Sequence, residues 1–575
     1  MKNWHRTLLL CAVFVSALVY YAAPGLEIPV YSRGEAREAV VATDMLLQSD
    51  FVLPLRNGVD IPSKPPLFHW LAVGGARIFG DLDAWTVRLP SAICSALTLT
   101  LYASVAFAEG GVFFAFLVTA MIASGFDWIR YSTVARVDMV FACCLNIALV
   151  SIWHLVSRWR KDKSLSILFS IALTLGTAGA VLAKGPAGIA LLVAVSGAFL
   201  MGIWIWGGTS PWRSAPWVAI CSAWALGSCM GATWYIAAWR HRGAAFIEVQ
   251  LLKENAARLV GNVDVELGHQ HSNFYTIAML FQSFAPWCIL LPMVVFFVWK
   301  NRKHLAIEPQ KSHLLLLAAW CSLMLVAVLV ASSKRSVYFL PAFPAFAYLV
   351  ASLISGEMPY KPRVEKWIFV FLIGLLILIC TVAIAGPVSM GVLASLLSEK
   401  TMKNPNAFLV MSSLGTYSYA STLLFFAIIA GLFALKKFRR GLFQQGSIWL
   451  SGSILLLTVF TRLQVILPLA QENSPKSFVA QNKELIESLD LYYYEEDNYP
   501  FVFYAAKDLG LMTAEDLMSL KKTVAIVTKE NAIKDIEASP VAVKILALSK
   551  NRAAEGRERL AIVEVSPIPS NAPRP

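Results

Sequence analysis

Apolar runs long enough to cross the roughly 30 Å hydrocarbon core of a bilayer recur along this chain, and a soluble fold has no place for so many. They extend from Thr7 to Ala23, Leu89 to Ala108, Gly111 to Phe126, Met139 to Val156, Leu165 to Leu182, Ala187 to Trp206 and Ala215 to Trp239. They continue from Tyr275 to Trp299, Leu314 to Ser332, Tyr338 to Ile354, Trp367 to Val388, Tyr419 to Leu435 and Ile448 to Ile466. At one crossing each they predict about thirteen transmembrane helices. The third run is short and Arg462 interrupts the last. With 57% of its 575 residues hydrophobic and 15% charged, the chain reads as a polytopic α-helical membrane protein.

Alternate connections carry the positive charge. Arg158, Arg160, Lys161 and Lys163 fall on one side, as do Lys300, Arg302 and Lys303, then Lys361, Arg363 and Lys366, then Lys436, Lys437, Arg439 and Arg440. This alternation makes that side, and the N-terminus, cytoplasmic. It also accounts for most of the net charge of +13 without nucleic acid as a partner. The first span follows a basic leader, Met1 to Arg6, so a cleaved signal peptide is the competing reading of that segment. All nine cysteines lie in apolar spans, which points away from a disulfide framework or a Cys-based metal site.

On the other side lie loops 24–88, 240–274 and 389–418 and everything after Pro468. The sequence divides into a membrane domain, residues 1–468, and a small soluble α/β domain, residues 469–575, facing the extracytoplasmic space. Glu35 to Leu47 and Pro66 to Phe79 have the spacing of amphipathic helices lying on the bilayer surface. In the tail, Ser474 and Pro475 suit the start of a helix through Leu489. Phe501 to Tyr504, Val524 to Val527, Val543 to Leu548 and Leu560 to Val565 read as strands.

Charged residues at the outer span ends are the candidates for chemistry. Glu35 and Arg37 lie just after the first span, and Lys64 sits in a stiff Pro-rich turn where a cation can meet a phosphate. Asp138 begins the fourth span, where a carboxylate is costly unless it is paired or faces a polar cavity; Arg136 is its nearest sequence partner. Lys184 ends another span, where snorkelling is the simple alternative. Glu254 and Arg258 can form an ordinary i,i+4 pair, and His269 with His271 is a weak metal signal on its own. Lys334 and Arg335 depart from the positive-inside tendency of the other short loops, which suggests a bound anion. Tyr338 adds a hydroxyl at the same edge.

Several local marks occur in order: Gly34-Glu-Ala-Arg37, Lys64-Pro-Pro66, Val87-Arg-Leu-Pro90, Ala135-Arg-Val-Asp138, Lys184-Gly-Pro186, Glu254-Asn-Ala-Ala-Arg258 and Ser333-Lys-Arg-Ser-Val-Tyr-Phe-Leu-Pro341. Together they resemble the bacterial aminoarabinose transferases and the wider protein O-mannosyltransferase superfamily, class C glycosyltransferases. The resemblance implies a polyprenyl-phosphate sugar donor and transfer at the outer face of the bacterial plasma membrane. The acceptor it implies is lipid A or another envelope glycolipid, ahead of protein. It makes Glu35 and Asp138 the catalytic carboxylates. It makes Arg37, Lys64, Lys184, Glu254, Arg258, Lys334, Arg335 and Tyr338 the substrate-binding set.

There are departures from the pattern. The Asp-Glu of aminoarabinose transferases is Gly34-Glu35 here, their Glu-Lys-Pro is Ser63-Lys64-Pro65, and a His after the loop glutamate is Asn255. Expected metal ligands are thereby lost, so no metal residues are assigned, a divalent cofactor stays an open question, and aminoarabinose itself is in doubt. Two other classes compete. A transporter predicts homologous halves or charges at span centres, and a membrane sensor leaves the outer cations without a common purpose.

Overall fold

The computed structural model describes residues 3–250, 273–331, 334–355, 370, 373–374, 376–378, 380–381, 404–414, 418–554, 556 and 558–568. Among these, nine helices are long and apolar enough to cross a membrane, or ten if one bent pair counts as a span. The chain is a multi-pass membrane protein with a small sheet unit at its C-terminal end. The expected span from Trp367 to Val388 lies partly outside the described residues, and Glu254, Arg258, His269 and His271 lie wholly outside them.

The order begins α1 (Asn3–Ala22), α2 (Arg33–Leu47), α3 (Leu67–Phe79), α4 (Ala84–Ala123), α5 (Phe126–Ser132), α6 (Val137–Asp162) and α7 (Ile167–Lys184). It continues with α8 (Pro186–Gly207), α9 (Trp217–Arg242), α10 (Asn273–Ser283), α11 (Leu291–Ile307) and α12 (Ser312–Val330). A 3₁₀ segment, Ser336–Ala342, leads into α13 (Phe343–Ser355), and α14 (Ser421–Arg439) and α15 (Phe443–Thr461) complete the membrane part.

Two expected spans form the single run α4, which starts at a capping box: the Asp83 carboxylate accepts from Trp85 N at 3.0 Å and Thr86 N at 2.8 Å. The run breaks at Gly111, whose φ of 76° is open to glycine and strained for other residues. The apolar stretch from Tyr275 to Trp299 is not one straight helix. Its two limbs, Phe274–Ser283 and Trp287–Ile307, meet at 112°, with Pro286 in the break, where its missing N–H and fixed φ interrupt a helix. Helices α7 and α9 touch closely because Gly227 has no side chain; a Cβ there would lie 2.5 Å from Thr174 O.

The amphipathic period of α2 does not mark a surface helix. Ten of its residues are buried, because it is covered by α3 on one side and by the C-terminal unit on the other. That unit is a five-stranded mixed sheet of order β2-β1-β3-β5-β4. The strands are β1 (Leu491–Tyr494), β2 (Gly510–Met512), β3 (Val524–Lys529), β4 (Val541–Leu548) and β5 (Leu560–Pro567). β1 runs parallel to β2 and β3, while β5 is antiparallel to β3 and β4.

The helix expected through Leu489 is two short ones, Lys476–Gln481 and Lys483–Ser488. The strand expected at Phe501 to Tyr504 is instead α16 (Tyr499–Ala505). Asn498 caps its start by accepting from Phe501 N at 3.1 Å, and Pro500 sits in the first turn. Both favour a helix over the apolar run's strand propensity.

α16 packs on α2. Its Tyr504 hydroxyl accepts from Val30 N at 2.6 Å, and Ser474 Oγ donates to Val30 O at 2.9 Å. Asn57 exchanges two 2.8 Å bonds with the backbone of Leu509.

Candidate active site

A cavity of about 420 Å³ opens where the N-terminal turns of α2 and α6, the C-terminus of α7, the first limb of the bent pair and the 3₁₀ segment meet. Seven of its lining residues are Lys or Arg, and two, Glu38 and Asp138, are acidic. Expected candidates Arg37, Lys64, Asp138, Lys184, Lys334, Arg335 and Tyr338 all line it. Residues from distant parts of the sequence are thus drawn to one place.

Asp138 forms an ion pair through Oδ1 with Lys184 Nζ. The Lys184 ammonium also lies 4.9 Å from the centre of the Phe141 ring and 5.6 Å from that of Tyr338. Lys184 therefore does not snorkel away. It is held over two rings and a carboxylate, where cation–π and charge attraction add.

Glu35, expected as a reacting carboxylate, stands outside this cavity. It is 1% exposed. Arg88 Nε donates to its Oε1 at 2.6 Å and Arg88 Nη2 to its Oε2 at 2.9 Å. Ala135 N donates to Oε1 at 2.9 Å. Both oxygens are occupied, so Glu35 ties α2 to α4 and to the turn before α6. The Lys334 ammonium is likewise turned to the protein: it donates to the carbonyls of Val328, Leu329 and Ala331 at 3.3, 3.0 and 3.0 Å. It caps the C-terminal end of α12, satisfying carbonyls that have no helical partner, although it remains on the cavity wall.

The carboxylate that α2 does present is Glu38, one turn beyond Glu35. Arg37 Nη2 donates to its Oε1 at 3.0 Å, and His69 Nε2 lies 3.2 Å from Oε2. Burial works to raise this carboxyl. The Arg37 guanidinium and the His69 ring outweigh burial and hold it well below the usual carboxylate range.

Behind the wall, Asp127 accepts from Ser283 Oγ at 2.7 Å, and its Oδ1 has no partner among the described residues. Burial is the largest influence on its carboxyl and pushes it up against the opposing Ser283 and Ser336 hydroxyls and Arg130.

Arg130, Tyr131, Arg136 and Ser336 also belong to the wall. Tyr131 and Ser336 hydroxyls are 3.2 Å apart. Arg136 sits directly above Gly34: a Cβ at that position would fall 2.6 Å from Arg136 Nη2. The buried Nε of Arg136 finds no acceptor among the described residues.

Arg136 entered the sequence reading only as a partner for Asp138, but the ammonium of Lys184 takes that place. The signal for Arg130 and Tyr131 was their position just before the Ala135-Arg-Val-Asp138 mark, and only the packing of α5 on the 3₁₀ segment reveals it.

A cationic cavity with two ordered carboxylates can hold a phosphate and place a group at its edge. Each of its two carboxylates already carries a protein cation. Among the described residues no three His, Cys, Asp or Glu side chains come together as a metal-ion ligand set.

Residues 63–234 match the family model described as dolichyl-phosphate-mannose-protein mannosyltransferase. Among curated proteins, the chain is 27% identical over 393 residues to the undecaprenyl phosphate-alpha-4-amino-4-deoxy-L-arabinose arabinosyl transferase of Aeromonas salmonicida, covering 64% of each. It is 22% identical over 359 residues to a transferase of the same description from Pseudomonas fluorescens, covering 62% of this chain and 58% of that one. The matches span about three-fifths of those relatives' length. The fold is similar to that of ArnT from Cupriavidus metallidurans bound to undecaprenyl phosphate, with a TM-score of 0.75 at 17% identity over 100% of both chains. In sequence the chain is thus similar to aminoarabinose transferases and, over residues 63–234, to the mannosyltransferase family model, and in fold it is similar to ArnT.

Proposed function

We propose that this protein is a membrane glycosyltransferase that moves a sugar from a polyprenyl phosphate to an acceptor outside the cytoplasm. The acceptor is lipid A or another envelope glycolipid. The observation that carries the reading is the cavity itself, where Lys64, Arg136 and Arg335 surround the Asp138–Lys184 pair. A phosphate leaving group needs fixed cations as the anomeric C–O bond breaks and its electron pair passes to the phosphate oxygen.

The new bond forms between the anomeric carbon and an acceptor oxygen. For a hydroxyl acceptor, Asp138 receives the proton, and Lys184 fixes its orientation. For a phosphate acceptor no base is needed, and Asp138 orients the sugar. Arg37 holds Glu38, while Tyr338 and Lys184 pack together at the sugar's edge. Glu254 and Arg258 remain substrate-binding candidates from the second large loop.

The same reading places the protein in the bacterial inner membrane with the cavity periplasmic. Residues 1–468 form the transferase domain, and residues 469–575 form a periplasmic domain over α2. The description of the matching family model favours transfer to protein as the second reading.

The test is incubation of the purified protein in lipid vesicles with radiolabelled polyprenyl-phosphate sugars and an envelope extract. Label passing into lipid A supports the first reading and label in protein the second. Solute or lipid movement across the bilayer without donor consumption would replace both with a transporter.

A further inference from the structure

A second cavity, of about 280 Å³, lies apart from the cationic one, where helices Pro405–Leu414, Leu467–Asn473 and Lys476–Gln481 meet. Its volume is near the lower end for small-ligand pockets, about 300 Å³. The last span sets its depth. Phe443–Asn473 is a 31-residue run, roughly 46 Å at about 1.5 Å per residue, against about 30 Å of hydrocarbon. Lys436, Lys437, Arg439 and Arg440 fix the start of that run at one membrane boundary. The surplus length lies at the far end, and it lifts Pro468, Gln471 and Glu472 of the cavity wall to the level of the lipid headgroups. Ser474, just beyond, bonds Val30 O ahead of α2, so the two cavities lie on the same side of the membrane.

The linings differ in chemistry. Here Gln471, Ser477, Gln481 and Asn551 supply uncharged hydrogen-bonding groups, and Pro468 and Phe478 supply apolar surface. One acidic and one basic residue, Glu472 and Lys550, leave the wall without net charge. Asn551 Nδ2 donates to Gln471 O and Ser474 O, at 2.9 Å each. Both of its N–H groups are used, which fixes the amide and leaves Oδ1 as an open acceptor. Among the described residues no hydrogen bond engages the side-chain amides of Gln471 or Gln481.

An amide offers donors and an acceptor side by side, and a hydroxyl both donates and accepts, so a row of amides matches a polyhydroxylated ring. A bare phosphate or carboxylate calls for a cationic surplus, which this wall lacks. An apolar peptide anchor would strip water from the amides and leave them unpaired.

We infer that this pocket binds the saccharide head group of an envelope glycolipid whose acyl chains stay in the adjoining bilayer, and that it recruits the acceptor for transfer. The recruiting role rests on the transferase reading, whereas the binding does not. The donor lipid also carries a sugar, so the experiment separates the two sources.

Full-length protein in vesicles is titrated with fluorescent lipid A and fluorescent diglucosyl diacylglycerol. Fluorescent phosphatidylglycerol, which has acyl chains and charge but no sugar, is the comparison. Wild type is set beside the double variant Gln471→Ala with Gln481→Ala. Both side chains are exposed, the replacement keeps the backbone carbonyl that Asn551 holds, and a melting curve verifies folding. The expected result is that a glycolipid binds more tightly than phosphatidylglycerol and that the double variant weakens it about tenfold, the scale of two neutral hydrogen bonds. Phosphatidylglycerol binding is the same in both proteins. In transfer from a radiolabelled polyprenyl-phosphate sugar, the variant raises KM for the acceptor by a similar factor and leaves donor KM and kcat as in wild type.

Glycolipid binding that is untouched by the double variant, or no stronger than that of phosphatidylglycerol, overturns the inference and leaves the transferase standing. A rise in donor KM in place of acceptor KM assigns the pocket to the donor sugar and also overturns it. Wild type that transfers no sugar yet shows the expected binding pattern removes the transferase reading, and the recruiting role with it, while the saccharide site stands.

Discussion

Arg88 grips Glu35 through two nitrogens, Nε at 2.6 Å from Oε1 and Nη2 at 2.9 Å from Oε2, with side chains only 3% and 1% exposed. Removing one member of such a pair strands the other charge, at a cost of about 3–5 kcal/mol. Glu35→Gln and Arg88→Ala should each lower the melting temperature in detergent and reduce the yield of folded protein. The double replacement Glu35→Leu with Arg88→Met should recover much of the loss, since an apolar pair leaves no buried charge unmatched. Full stability in Glu35→Gln would contradict the anchoring role.

Gly34→Ala separates site geometry from fold. The atom it would strike is the flexible end of Arg136, so the side chain can swing away while the backbone stays. Alanine in the first turn of α2 is favourable for a helix by up to about 1 kcal/mol. The expected outcome is unchanged or slightly raised thermal stability with a several-fold rise in KM for donor, read by steady-state kinetics. An unaltered KM would mean that the position of Arg136 is immaterial to binding.

A third prediction concerns the seam between α2 and the C-terminal unit. Asp44 accepts from Asn57 N at 2.7 Å, and its carboxyl is pushed up to about 8, first by burial and then by the neighbouring Asp508 carboxylate. Arg56, itself paired with Asp60 at 2.7 Å, opposes this shift. The native pair keeps a proton that the unfolded chain releases near pH 4. Stability from this site is therefore full below about pH 4, declines as pH rises toward about 8, and then levels. Asp44→Asn should flatten that slope and raise the melting temperature at pH 8 by about 2–4 °C. Parallel pH curves for variant and wild type would show that the pair does not titrate in this window.

Long apolar runs made the membrane architecture legible, because length and hydropathy alone decide whether a segment can cross a bilayer. The same periodicity misplaced α2: Val40, Val41 and Met45 face protein rather than lipid, and a one-dimensional pattern cannot say which apolar neighbour covers a helix. The strand expected at Phe501 was lost to a local cap, the Asn498 side chain. Lys64, Asp138, Lys184 and Arg335 were recognisable because charges at outer span ends need a reason. Which of Glu35 and Glu38 lines the cavity was not, since both are acidic residues of one helix and only the bond from Arg88, 53 positions away, turns Glu35 inward.

The central claim is that the cavity between α2, α6 and α7 holds the donor phosphate beside Asp138. Its most direct test is transfer from a radiolabelled polyprenyl-phosphate sugar in vesicles by wild type, Asp138→Asn and the double variant Lys64→Ala with Arg136→Ala, each verified as folded by its melting curve. The account predicts a donor KM raised by about 10²-fold or more in the double variant, as expected for losing charge-assisted hydrogen bonds. It predicts a lower kcat for Asp138→Asn, by about 10²–10⁴-fold if the acceptor is a hydroxyl. Wild-type turnover that persists undiminished in both variants would contradict it.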